Sequence, residues 1–381
     1  MTVARRLEFR DPVRGAALSA RLARAAARAF DRTGADITLM HVCGSHEQAM
    51  ARYGLRANLP PHLQVLMGPG CPVCVTDAPE IDACIALAAR GVRILTYGDM
   101  LRVPGRALSL DDARAAGARV EVIYAATQAV EIARASTEPV VFFSTGFETT
   151  AVATAALLLR EPPPNLFVLS AHKWVPAAMD TVARTPETRV QGYLAAGHAA
   201  TITGFGLFES FVAEHRCPVV VAGFEPLDIL AGLSLLAECV ADGRAEVVNA
   251  FPRCVTRDGN RKAMDALFRV FQLADGEWRG IARVPLGTLD LRPEFAAWDA
   301  RARFAPELEA ALLESAGAER PNAADCRCGA IMSGLARPCD CPLFGTACRP
   351  EAPVGACMVS SEGACRIWFE NDLGQTGEGA A

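Results

Sequence analysis

The chain carries 14 cysteines among 381 residues, and their neighbours sort them by the chemistry they could do. Cys43 opens Cys43-Gly44-Ser45-His46-Glu47, directly after the apolar run Ile37–Val42. A helix starting near Ser45 would place Cys43 at its positive end, which favours the thiolate. A thiolate is both a nucleophile and a soft metal ligand. His46 could act beside it as a base or second ligand, with Glu47 to orient it. The plainer reading of the same residues is a tight turn with a capping serine.

Cys71 and Cys74 form a CxxC within Gly68-Pro69-Gly70-Cys71-Pro72-Val73-Cys74. Two intervening residues let both sulfurs approach, which suits reversible dithiol–disulfide chemistry or shared metal binding. One CxxC alone is too few for a tetrahedral zinc site. Seven more cysteines crowd the C-terminus: Cys326, Cys328, Cys339, Cys341, Cys348, Cys357 and Cys365. Four thiolates from such a set would hold zinc or an iron–sulfur cluster. Their gaps form neither a pair of zinc knuckles nor the common ferredoxin run, and long irregular gaps favour a cluster enclosed by the chain. The remaining Cys84, Cys217, Cys239 and Cys254 lie in apolar or strand-like contexts and read as small buried hydrophobes.

Thr145-Gly146-Phe147-Glu148-Thr149-Thr150 follows a buried-looking strand and opens a helix. It could bind an anion, or simply cap the helix, and it lacks the lysine of a P-loop. His172, Lys173, His198 and Glu225 also sit just after strands.

These groups need a frame. Short β-type runs recur at Ile37–Val42, Gln64–Met67, Arg93–Thr96, Val120–Tyr124, Val140–Phe143, Leu166–Leu169, Val219–Ala222 and Glu246–Asn249. Helical spacing fills Ala16–Thr33, Ala78–Arg90, Thr149–Arg160 and Ile229–Asp242. Strands alternating with helices predict α/β architecture with parallel sheets, whose sites gather at the carboxyl ends of the strands. The unusual motifs all stand there. The run of strands breaks near Ala125–Pro139, Pro293–Glu314 looks helical, and the composition turns to Cys, Gly and Pro after Pro321. The expected division is therefore two α/β domains, 1–125 and 126–314, and a small cysteine-rich domain, 315–381, stabilised by a metal or cluster. Asn371–Ala381 reads as a frayed polar tail.

Hydrophobic residues make up 51% of the chain, ample for real cores, and the net charge is −5 with no basic block. Nucleic acid and anionic membrane surfaces are thus poor partners. No apolar run reaches the roughly 18–20 residues of a membrane span. The N-terminal MTVARRLEFRDPVRG has no apolar core of a secretory signal. The expectation is a cytoplasmic protein, where structural disulfides are uncommon.

Taken together the motifs resemble the HypD family of [NiFe]-hydrogenase maturation proteins. The resemblance spans nearly the whole chain. It rests on CGSHE (Cys43–Glu47), GPGCPVC (Gly68–Cys74), YGDM (Tyr97–Met100), RVPG (Arg102–Gly105), GFETT (Gly146–Thr150), AGFEPLDIL (Ala222–Leu230), WRG (Trp278–Gly280) and the tail CPLFGTAC…PVGACMVSSEGAC. The resemblance implies a redox-active scaffold on which the Fe(CN)2CO unit of the hydrogenase site is assembled. The implied partners are a small HypC-type chaperone and a HypE-type donor that brings cyanide as a thiocyanate. On this reading Cys43 ligates the transient Fe(CN)2CO iron, His46 lies beside it, and Cys71 and Cys74 are the redox pair. A [4Fe–4S] cluster falls to Cys341, Cys348, Cys365 and Cys328, with Cys326 the alternative first ligand and Cys339 and Cys357 spare. The competing reading is a thiol–disulfide oxidoreductase with structural zinc at the C-terminus; a third is a scaffold without redox turnover.

Overall fold

The computed structural model describes residues 10–314 and 320–373. The tail read as frayed lies, from residue 374, outside them, as do residues 1–9. Two parallel sheets and one antiparallel hairpin organise the chain. The strands are β1 (Ile37–His41), β2 (Leu63–Met67), β3 (Arg93–Thr96), β4 (Val120–Val122), β5 (Val140–Gly146), β6 (Leu166–His172), β7 (Gly192–Ala196), β8 (Val219–Ala222), β9 (Val247–Asn249), β10 (Phe271–Trp278) and β11 (Ala282–Leu291). The first sheet runs β2-β1-β7-β8-β9 and the second β4-β3-β5-β6, every pairing parallel. The hairpin β10–β11 is antiparallel, with an irregularity between Ala274 and Gly276.

The strands that carry the sites are buried along their whole length: β1, β5, β6, β7 and β8. Runs such as VVFF and VVVA follow from that, because helices cover both faces of a parallel sheet. Four helices need labels: α1 (Pro12–Thr33), α2 (Gly44–Arg52), α3 (Pro72–Val75) and α4 (Ala78–Ala89). Asp11 starts α1 by accepting the Val13 and Arg14 N–H groups, with Pro12 in the first turn, and Gly34 stops it at φ 70°. Its apolar stripe of Leu22, Ala25, Ala26 and Ala29 joins the core formed by β1, β8 and the helix Pro226–Asp242.

The chain forms two compact units, residues 1–68 with 185–260, and residues 69–184 with 261–381. The first holds the β2-β1-β7-β8-β9 sheet, and the second holds the other sheet and the hairpin. Both are discontinuous in sequence, so their seams do not coincide with the boundaries at 125 and 314 expected from the run of strands and the change in composition. The reason is pairing: β1 bonds to β7 across the whole intervening second sheet, and β3 bonds to β5 across Ala125–Pro139, which contains the helix Ala126–Arg134. The cysteine-rich segment belongs to the second unit, where Ala356 and Val359 share a core with Ile81, Leu87, Val141 and Leu169.

Pro293–Glu314 is a 3-10 helix (Pro293–Trp298) and two α-helices (Ala300–Arg303, Ala305–Glu314) in place of one helix. Asp299 breaks it, capping the Arg301 N–H from an extended backbone. Among the described residues no helix is long and apolar enough to cross a membrane.

Candidate functional site

In the first unit, the CGSHE motif leaves the carboxyl end of β1. Strand order reverses between β1 and β7, since β2 lies on one side of β1 and β7, β8 and β9 on the other. Ligand sites of open parallel sheets form at such a reversal. Cys43 caps α2 from an extended backbone (φ −155°, ψ 128°) and is 3% exposed. The expected thiol at a helix start is thus present. His46, fully buried, stacks on Phe224 with ring centroids 4.8 Å apart. Its Nε2 lies 3.0 Å from the Gly223 carbonyl oxygen. A carbonyl only accepts, so Nε2 carries the proton and Nδ1 holds a lone pair. That Nδ1 is buried without a hydrogen-bond partner. Burial, helped by the neighbouring His41, lowers the His46 pKa to about 3, so the ring is neutral at pH 7. The pair therefore offers a thiol and an imidazole lone pair. Gly223 makes the close packing possible, because a Cβ there would fall 2.4 Å from an Asp228 carboxylate oxygen and 2.6 Å from the Phe251 ring.

Glu47 does not orient His46. Its carboxylate accepts from His41 Nε2 at 2.7 Å and from Arg56 Nε at 2.6 Å, with a second bond from Arg56 Nη2. Burial alone would raise the Glu47 pKa; Arg56 and His41 overcome it and hold the carboxyl well below its ordinary range. Arg56 also donates to the Val65 carbonyl at 2.8 Å, so this buried ion pair ties α2 to β2. His198 leans on Phe224 from the end of β7, with ring centroids 5.1 Å apart.

In the second unit, Cys71 and Cys74 are joined as a disulfide with Cα atoms 5.3 Å apart, and neither is exposed. Cys71 caps the single turn α3, where its Sγ accepts the Cys74 N–H at 3.2 Å. The tip of the β10–β11 hairpin closes over the far end of that turn. The Arg279 N–H donates to the Val75 carbonyl at 3.0 Å, its Nε to the Thr76 carbonyl at 2.7 Å, and its Nη2 to the Pro104 carbonyl at 2.6 Å. Next to it Gly280 (φ 70°) lies against Gly329; a Cβ on Gly329 would meet the Gly280 carbonyl at 1.9 Å. Backbone packs on backbone there, one residue past Cys328.

Six C-terminal cysteines interact: Cys326, Cys328, Cys341, Cys348, Cys357 and Cys365. Cys357 Sγ and Cys365 Sγ are 3.0 Å apart, and Cys328 also bonds Cys357. Cys348 Sγ accepts the Val354 N–H at 3.3 Å. Burial pushes the Cys326 thiol up to about 12; contact with Cys357, then burial, also raises Cys328 well above the ordinary thiol range. Thiols collected this way become thiolates when a metal lies among them. The donor set fits a four-thiolate cluster. Cys357, which spacing left spare, belongs to the group, whereas Cys339 sits apart beside Arg337 and Asp340. The 3-10 turn Ala356–Met358, which carries Cys357, packs on α3. Of the cysteines read as buried hydrophobes, Cys84, Cys217 and Cys239 are buried, and Cys254 is exposed.

GFETT leaves β5 at the second sheet's own reversal, between β3 and β5. A crevice of about 1160 Å³ opens there, lined by Val73, Tyr97, Asp99, Thr145, Thr150 and Ser360 among others. Glu148 begins the helix Glu148–Leu158 and is buried, with one oxygen accepting the Val175 N–H at 2.8 Å and the other without a partner. Burial raises its pKa to about 7. His172 Nε2 bonds Ser144 Oγ at 2.9 Å, and burial lowers its pKa to about 3. The buried Lys173 ammonium is held by Glu80 at 3.1 Å and the Glu277 carbonyl at 2.9 Å, which gives it a structural role.

The comparisons with known proteins agree with one another. The family model of HypD, described as the hydrogenase formation hypA family, matches residues 17–372. A hydrogenase maturation factor HypD of Rhizobium leguminosarum bv. viciae is 43% identical over 339 residues, covering 86% of each chain. One of Azotobacter vinelandii is 42% identical over 375 residues, and one of Cupriavidus necator 41% over 376, each covering 95% of both chains.

Proposed function

Because the chain belongs to the HypD family of hydrogenase maturation factors, we propose that it is the redox-active scaffold on which the Fe(CN)2CO unit is built. Its partners on this reading are a small HypC-type chaperone and a HypE-type cyanide donor. The observation that carries the reading is the second unit's pairing of a closed CxxC with a group of interacting thiols. The numerous free cysteines beside that one disulfide suit a reducing, cytoplasmic compartment.

The cargo iron is the substrate. Cys43 ligates it as thiolate, together with a cysteine of the chaperone, and neutral His46 offers its Nδ1 lone pair to the same iron or to a proton. Cyanide arrives as R–S–C≡N. Cleaving that S–C bond to R–S⁻ and CN⁻ consumes two electrons. Closing the Cys71–Cys74 dithiol to its disulfide releases two electrons and two protons, so one CxxC turnover matches one cyanide. A [4Fe–4S] cluster on Cys341, Cys348, Cys365 and Cys328 or Cys326 supplies electrons one at a time when bound.

The test is an infrared spectrum of the protein co-purified anaerobically with its small partner. Bands in the cyanide and carbonyl stretching region are the expected result. Their absence, with stoichiometric zinc in place of iron and acid-labile sulfide, would instead establish the thiol oxidoreductase with structural zinc.

A further inference from the structure

We propose that Arg279 is a positioning residue that sets the reduction potential of the Cys71–Cys74 couple by holding a cation at the end of α3. The inference rests on the reading of that pair as redox-active.

The hairpin tip makes three bonds, to Val75, Thr76 and Pro104, and all three acceptors are carbonyl oxygens. None of them neutralises the guanidinium. Val75 and Thr76 are the two residues that follow Cys74. Arg279 therefore brings a full positive charge to the C-terminal end of a turn that holds both sulfurs. Its nearby carboxylates are Asp77, Glu80 and Asp82, and Cys328 faces it as well. Glu80 is already committed to Lys173 at 3.1 Å, and Asp82 to the Arg106 N–H at 3.0 Å. Asp77 is the strongest carboxylate influence on Arg279.

Reduction of a disulfide places negative charge on sulfur to the extent that the thiols ionise. A fixed cation nearby favours that state and lowers thiol pKa values. A lysine would keep the charge but lose the fork that reaches two carbonyls at once. The geometry has a second consequence. Gly280 and Gly329 are in backbone contact, so the segment that carries the cation also abuts the residue after Cys328. The hairpin tip thus touches both the disulfide turn and the residue after Cys328, within one unit.

The experiment equilibrates the full chain in buffers of reduced and oxidised dithiothreitol, where dithiothreitol gives two electrons and two protons as Cys71–Cys74 opens. Alkylation and mass spectrometry of the Cys71–Cys74 peptide read the ratio. Arg279→Gln is expected to shift the equilibrium about tenfold toward the disulfide, or about 30 mV. Arg279→Lys is expected to stay within about twofold of the parent, and Asp77→Asn, which still caps α4, to shift it the opposite way. An Arg279→Lys shift as large as that of Arg279→Gln would assign the effect to packing and overturn the proposal. So would an unmoved Asp77→Asn, which decides the matter even if Arg279→Gln fails to fold. A pair that cycles in the parent but ignores every variant sinks the inference alone. A parent pair that no dithiothreitol ratio opens sinks the redox reading with it.

Discussion

Cys357 Sγ lies 3.0 Å from Cys365 Sγ, closer than two independent thiols need to be, so the sixth member of the C-terminal thiol group is a neighbour of a proposed cluster ligand. A [4Fe–4S] cluster takes four cysteines, and the surplus makes ligand assignment an experimental question with discrete answers.

Single serine replacements should sort the group. Cys341→Ser, Cys348→Ser and Cys365→Ser are expected to lose the brown colour and the acid-labile sulfide of the anaerobically purified protein. Cys357→Ser and Cys339→Ser should keep both. Of Cys326→Ser and Cys328→Ser, one should be colourless, and that one identifies the first ligand. A coloured Cys365→Ser protein with full sulfide would remove it from the set.

Cys43→Ala should separate the two proposed metal functions. Cys43 lies in one compact unit and the thiol group in the other. The variant is therefore expected to keep cluster absorbance while its complex with the small chaperone lacks cyanide and carbonyl infrared bands. Retained bands would exclude Cys43 as the iron's ligand.

Breaking the buried pair around Glu47 should be costly. Glu47→Gln leaves the Arg56 guanidinium without its counter-charge, a loss of about 3–5 kcal/mol for a buried pair. The carboxyl's pKa is depressed in the folded chain. Its contribution is thus present above the unfolded carboxylate range of about 4 and lost as the pH falls below it. Urea midpoints at pH 7 should drop sharply in the variant, and the difference from the parent should shrink in acid. Equal midpoints at pH 7 would contradict the ion-pair assignment.

Glu148 and His172 predict opposite slopes of stability with pH. Glu148 has a folded pKa of about 7, above its unfolded value, so its contribution is present in acid and fades as the pH rises toward 7. Glu148→Gln keeps an oxygen for the Val175 N–H and should be the more stable protein at pH 8, by up to about 3 kcal/mol. His172 has a folded pKa of about 3, below its unfolded value. Stability should therefore fall as the pH drops from about 6.5 toward 3, by about 1.4 kcal/mol per pH unit for this ring. Urea midpoints of His172→Gln should show a shallower acid limb than the parent, and a parallel limb would refute the assignment.

Much of the frame was legible. Runs such as Val140–Phe143 and Val219–Ala222 are strand-sized and wholly apolar, as strands buried on both faces must be. The site motifs were legible because each occupies a strand's carboxyl end. What escaped was non-local. β7 reads GYLAA, with no β-branched residue to announce it, yet it is the strand that β1 bonds. The hairpin's polar Gln272, Asp275 and Glu277 conceal a pair of strands, and with them the place of Arg279. His41 and Arg56 stand six residues before and nine after Glu47, and no spacing rule joins them through one carboxylate. Cys357 fell outside the ligand pattern, and only folding returns it to the other thiols.

The discontinuity of the first unit also dictates an order of assembly. β1 emerges early, but its neighbour β7 follows about 150 residues later and β8 later still, so this sheet closes through contacts of long sequence separation, the slow kind. Until Gly223 has been made, His46 lacks its carbonyl acceptor and Phe224 is missing from the stack. A nascent chain would thus carry Cys43 through the synthesis of residues 69–184 of the second unit without a finished pocket around it. The surroundings of Cys43 and His46, begun near the start, can be completed only after more than half of the chain exists.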